Sequence, residues 1–130
     1  MLDEGASVAI PTGWKQKPGP GRIILEPEQG GGRIDVGFAR RTDFGVERTP
    51  RLVTEAIARQ MPHQPADEVR QRIQGGEPVV ATVDVVARDG TPSRAHHAVF
   101  LANSIIHVSC VGVASDVCDA VAQSVREGNR

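Results

Sequence analysis

The chain has 130 residues, a formal net charge of −1, 39% hydrophobic residues and 24% charged ones. That length is enough to bury one core, about two thirds of the unfolded surface, and the composition is too apolar for a chain that stays unfolded. Near-neutral charge and few aromatic rings, Trp14, Phe38, Phe44 and Phe100, remove the basic field and the stacking platform that nucleic-acid binding uses.

Residues 7–10 read as a short first strand, ended by Pro11 and the turn Thr12-Gly13, with Trp14 covering one end of the core. Residues 15–21, with two Pro and two Gly, read as a loop. Residues 22–26 and 33–40 read as strands, the second from the alternation of Ile34, Val36 and Phe38 against Asp35 and Gly37. The intervening Gln29-Gly30-Gly31-Gly32 resembles a phosphate cradle only superficially. It has no Lys, and a strand rather than a helix follows, so a hairpin turn is the better reading.

Thr49-Pro50 opens a helix, with Thr as cap and Pro at the first helical position. Val53, Ile57 and Met61 then share one face, and Pro62 and Pro65 stop it. Residues 68–74 fit a helical turn or a strand, and the alternation Val69-Gln71-Ile73 favours the strand. Gly75-Gly76 breaks it.

Residues 79–87, rich in Val, form the next strand, and Asp89-Gly90 turns the chain back through 93–101. Ala102-Asn103 turns it again into 104–111, completing a three-stranded meander. A helix over 115–126 follows, with Ser115 as cap, Asp116 and Asp119 at its positive end, Arg126 at its negative end and Gly128 beyond. Its stripe Val117, Val121 and Val125 calls for the apolar face of the meander. The whole is an α+β sandwich around an antiparallel sheet, one domain over 7–126 between loose ends at 1–6 and 127–130.

Cys110 on a strand and Cys118 in the first helical turn approach each other if that helix packs on that strand. A disulfide there marks an oxidising compartment; two buried free thiols acting as small hydrophobes are the alternative. Their spacing does not suit a redox-active pair.

His63, His96, His97 and His107 make no zinc site, because neighbours in a strand point to opposite faces. His96 and His107 fall diagonally on one face, read as an open and solvated one. Asp84 and His97 fall on the other as a cross-strand pair. An enzyme built on Asp84, His96, His97 or His107 lacks a nucleophile on a suitable turn, Thr82, Ser93 and Ser109 being the hydroxyls at hand.

Arg40, Arg41, Arg48 and Arg51 gather around the start of the first helix, where they could receive an acidic partner or an anion, with Trp14 as a further contact; charges that are simply solvated are the alternative. All basic residues but Lys15 and Lys17 are Arg, which a GC-rich genome explains as readily as anion binding.

No apolar run approaches the roughly 20 residues that span a bilayer, and Met1-Leu2-Asp3-Glu4 is no secretory leader. The expectation is therefore a cytoplasmic protein or one whose leader precedes Met1.

Val8-Ala9-Ile10-Pro11-Thr12-Gly13-Trp14 resembles the opening apolar strand, Pro, Gly and Trp of the PsbP-like family. Ile105-Ile106-His107-Val108-Ser109-Cys110, then 119–126 ending in Gln-Ser-Val-Arg, is similar to that family's last strand and helix. Between them a helix after two strands, then Gly75-Gly76-Glu77-Pro78 before a long hairpin, follows the same plan. The resemblance spans 7–126.

It implies about six antiparallel strands with two packed helices, no cofactor, no metal, no catalytic residues and action by binding another protein. The family includes PsbP subunits of photosystem II, exported bacterial lipoproteins of the DcrB type and Eag chaperones of secreted effectors. The plant subunits' extra sequence is missing, so no photosystem role is carried over. The cysteine pair suits the exported members, with periplasmic location and a lipid anchor on a separate leader. An immunity protein or effector chaperone of a bacterial secretion system is the alternative.

Overall fold

Alternation of buried and exposed side chains builds the sheet. In the computed structural model, which describes residues 6–19, 22–43, 46–61, 64–90 and 92–127, the chain runs in this order. First come β1 (Ala6–Ser7), β2 (Trp14–Gly19), β3 (Arg22–Pro27), β4 (Arg33–Arg40), β5 (Thr42–Asp43) and β6 (Val46–Glu47). Then follow α1 (Pro50–Gln60), β7 (Glu68–Gln74), β8 (Val79–Val86), β9 (Pro92–Phe100), β10 (Ser104–Val111), α2 (Ser115–Gln123) and β11 (Arg126–Glu127). The main sheet is antiparallel and seven-stranded, in the order β2-β3-β4-β10-β9-β8-β7. The fold is α+β with two helices, and the sheet has seven strands where about six were expected.

Each face of the sheet carries its own core. Ile23, Leu25, Ile34, Val36, Val99, Ile106 and Val108 pack under Cys118, Val121, Ala122 and Val125 of the α2 region. Ala81, Ala98, Phe100 and Ile105 pack under Val53 of α1. Ala98 and Val99, and likewise Ile105 and Ile106, are sequence neighbours in different cores, as the two-residue period of a strand requires. The expected stripe of the last helix therefore does lie on the meander. We predict that Val121→Ala, at 1% exposure, costs about 2 kcal/mol. Leu52→Ala, at 54% exposure on α1, should cost under about 0.5 kcal/mol. Chemical denaturation of the two variants measures both.

The hairpin reading of the glycine run holds, since β3 and β4 pair antiparallel across it. Gly32 has φ +105° and stands where an added Cβ would lie 2.7 Å from the carbonyl oxygen of Gly112. The β3–β4 turn thus lies backbone to backbone against the β10–α2 turn here, with the Val113 side chain also close.

Three readings need correction. Residues 7–10 are not a strand of the sheet; the pairing there is Ala6 and Ser7 against Glu127 and Arg126. The expected loop 15–21 contains β2, paired with β3 from Trp14 to Gly19. An outermost strand tolerates Pro18 because its missing N–H faces no neighbour. The last helix stops at Gln123 rather than 126, and Ser115 lies inside it, with Ala114 at the cap position and no side-chain cap. Arg126 instead donates to the Gln123 carbonyl at the helix end. Of the expected loose ends at 1–6 and 127–130, Ala6 and Glu127 pair with each other, while residues 1–5 and 128–130, with Pro62, His63 and the Gly128 cap, lie outside the described residues.

Candidate functional site: a polar groove beside α2

The last helix is short and lies over β9 and β10, while α1 covers β7, β8 and β9 from the other face. On the α2 face, β8 and β7 thus extend beyond the helix and floor a groove of about 470 Å³. Arg72 and Gln74 of β7, Thr82 of β8, His97 of β9, and Asp119 and Gln123 of α2 line it.

His97 anchors this groove. It is 3% exposed, held by pairing with Thr82 on one side and Val108 on the other. Its Nδ1 is 2.9 Å from Thr82 Oγ1. Its Nε2 is 3.1 Å from Asp119 Oδ1 but out of line, so that this buried nitrogen has no aligned hydrogen-bond partner. Burial pushes the ring's pKa down, against the pull of Asp119 and Asp84 and with the help of Arg72. The ring is therefore neutral at neutral pH.

Asp84 is the diagonal neighbour of His97 on that face, as expected, but the carboxylate that approaches the ring is Asp119, from the helix. Asp84 stands opposite Arg70 and within 3.8 Å of Arg72. Thr82, bonded to the imidazole, is 2% exposed in mid-strand. A nucleophile must reach its substrate, and this hydroxyl orients the ring instead.

His96 and His107 share the opposite face, as the register of β9 and β10 predicts. They are half-buried rather than on an open face: α1 lies over β9 there, and they bond each other at 2.8 Å with ring centroids 5.0 Å apart. Burial lowers the pKa of His96 to about 3, assisted by His107 and then His97. Burial and then Arg48 lower that of His107 to about 4. Ile57, Gln60, Met61, Arg94 and Ser109 line a smaller hollow with His96, of about 180 Å³.

Cys110 and Cys118 form a disulfide, with Cα atoms 6.2 Å apart and both residues buried. The arginines do not act alike. Arg41 donates to the Leu101 carbonyl and to Glu47 and lies 5.5 Å over the Phe100 ring, so it braces the fold. Arg40, Arg48 and Arg51 are exposed, the last paired with Glu55 along α1. Trp14 packs against the α2-side core, apart from the start of α1. Among the described residues no group of three or more His, Cys, Asp or Glu is placed to hold a metal ion. No helix among them is long and apolar enough to cross a membrane.

Sequence reading missed Asp119 as the groove's carboxylate. Its position after the Val117-Cys118 pair marks it as inward-leaning only once the helix is docked on β9.

No protein-family model matches the sequence, and no curated protein does. Among solved structures the chain is similar to the solution structure of cyanobacterial PsbP (CyanoP) from Synechocystis sp. PCC 6803. The TM-score is 0.65 and the identity 15%, over 98% of this chain and 90% of that one. The chain has a PsbP-like fold.

Proposed function

We propose that the chain is a non-catalytic accessory domain that works outside the cytoplasm and acts by binding another protein. The observation that carries the reading is the buried Cys110–Cys118 disulfide, which ties α2 to β10 at the centre of the larger core. Such a bond persists where the surroundings are oxidising. The PsbP-like fold supports an accessory role, and within that family the exported lipoproteins of the DcrB type suit the oxidised pair better than Eag chaperones do. Arg40, Arg48 and Arg51 around the start of α1 form the surface assigned to an acidic partner.

Fractionation of cells carrying the full gene, with a photo-crosslinker at position 51, tests both halves. The reading expects the chain outside the cytoplasm and a discrete adduct with one other protein. Recovery in the cytoplasm overturns the compartment. Absence of any adduct from positions 40, 48 and 51 overturns the contact surface.

A further inference from the structure

The two outer strands of the sheet are built differently. β2 carries Lys15, Lys17 and Pro18, residue types that keep a free edge from pairing. At the other end β7 reads Glu-Val-Arg-Gln-Arg-Ile-Gln, without Pro, Gly or Lys, and pairs with β8 in unbroken register from Glu68 to Gln74. Among the described residues no strand pairs with its outer side. Alternate residues of such a strand turn both N–H and C=O outward, a template for one more strand. Hollows flank this edge on both faces. On the α2 face lies the groove that Arg72 and Gln74 border. On the α1 face Glu55, Ala58 and Arg59 stand over Val69 and Gln71, around about 390 Å³. Successive side chains of an added strand would enter one hollow and then the other.

The charge pattern of β7 selects what can pair with it. A two-fold antiparallel pairing with a second copy that overlaps most of the strand sets Arg70 against Arg70, Arg70 against Arg72, or Arg72 against Arg72. Like charges directly opposite are destabilising, so self-pairing is opposed. Glu68 bonds Arg70 and Asp84 approaches Arg72, which brings the wider region close to balance. Asp84, however, is on β8, about twice as far from an added strand as β7 itself. The layer directly beside that strand holds two exposed guanidiniums and one carboxylate on the α2 face. On the α1 face it holds Val69 and Ile73, the latter 50% exposed. We propose that β7 takes an extended segment of a protein partner as an eighth strand of the sheet, with acidic side chains opposite Arg70 and Arg72 alternating with apolar ones beside Val69 and Ile73. The proposal rests on the reading of the chain as a protein-binding domain and adds β7 to its contact surface. Main-chain hydrogen bonds supply the affinity, and the alternation supplies the choice of partner.

The test uses the oxidised full chain, isotope-labelled, titrated with capped peptides that alternate Glu with Val or Lys with Val. The Glu/Val peptide should shift the β7 amide signals saturably, leave those of β2 in place, and bind at least ~5-fold more tightly than the Lys/Val peptide. The exposed double variant Arg70→Glu, Arg72→Glu should reverse that preference. The Glu/Val peptide methylated at alternate backbone nitrogens, made in both phases, should lose binding in at least one of them. No shift with the Glu/Val peptide, shifts centred on β2, equal binding of the two peptides, or binding kept in both methylated phases overturns the assignment. A dimer of the free protein with its β7 amides shielded from exchange also overturns it, since a second copy then holds the edge. If the peptides fail while the position-51 adduct forms, the edge assignment falls and the protein-binding reading stands.

Discussion

Replacing Cys110 and Cys118 together by alanine should lower stability by about 3 kcal/mol and the melting temperature by about 10 °C. The bond closes a short loop, eight residues apart in sequence, and most of its effect comes from restricting the unfolded chain. Its native-state role is local. The nine-residue helix α2 is too short to persist alone and has no side-chain cap at its start. The sulfur bridge holds it to β10 while Val121 and Val125 cover Ile34, Val36 and Val108. Reduction of the wild-type protein should reproduce the loss, and the α2-face amides should lose hydrogen-exchange protection before the α1 face does. Coincident melts of oxidised and reduced protein would contradict it.

Acid should destabilise the protein well above the range where carboxylates titrate. His96 and His107 have an ordinary pKa of 6.5 unfolded and about 3 and about 4 folded. Between those values the unfolded chain binds more protons, so stability falls as pH drops below 6.5. At pH 5 each ring forfeits about 2 kcal/mol relative to pH 8, about 4 kcal/mol for the pair. Their neighbours agree in sign: His107 and His97 oppose a proton on His96, and Arg48 opposes one on His107. Urea unfolding of wild type and of the His96→Asn, His107→Asn variant across pH 8 to 4.5 measures this. The variant should show a clearly shallower profile, the remaining dependence coming from His97, whose pKa burial also lowers, and a wild-type profile no steeper than the variant's would refute the half-buried, neutral pair.

What could be read from the chain follows the range of the interactions involved. The meander and the β3–β4 hairpin were legible because Val-rich strands, Asp89-Gly90 and the glycine run state their own geometry locally. Its register then placed His96 with His107 and kept His97 apart. By contrast, β2 consists of residues that favour a loop, and pairing with β3 alone makes Trp14–Gly19 a strand. The exposure of His96 and His107 was misjudged for the same reason, since α1 is separated from β9 by more than thirty residues and its docking leaves no trace near them. The groove was the least legible feature. It arises because α2 covers β9 and β10 and ends short of β7, a relation between a helix length and a sheet width. Asp119, read as an N-terminal helix charge, gains its place beside His97 only from that docking.

The placement of α2 joins the fold, the compartment and the groove, and the sulfur bridge is its covalent record. Cells expressing the full gene from its own locus can be quenched in acid, unfolded and treated with a thiol-alkylating reagent before any reduction. Mass measurement should then find Cys110 and Cys118 unlabelled and the chain lighter by the two hydrogens of a disulfide. A protein carrying an alkyl group on both cysteines would contradict the compartment and the tethering of α2 alike.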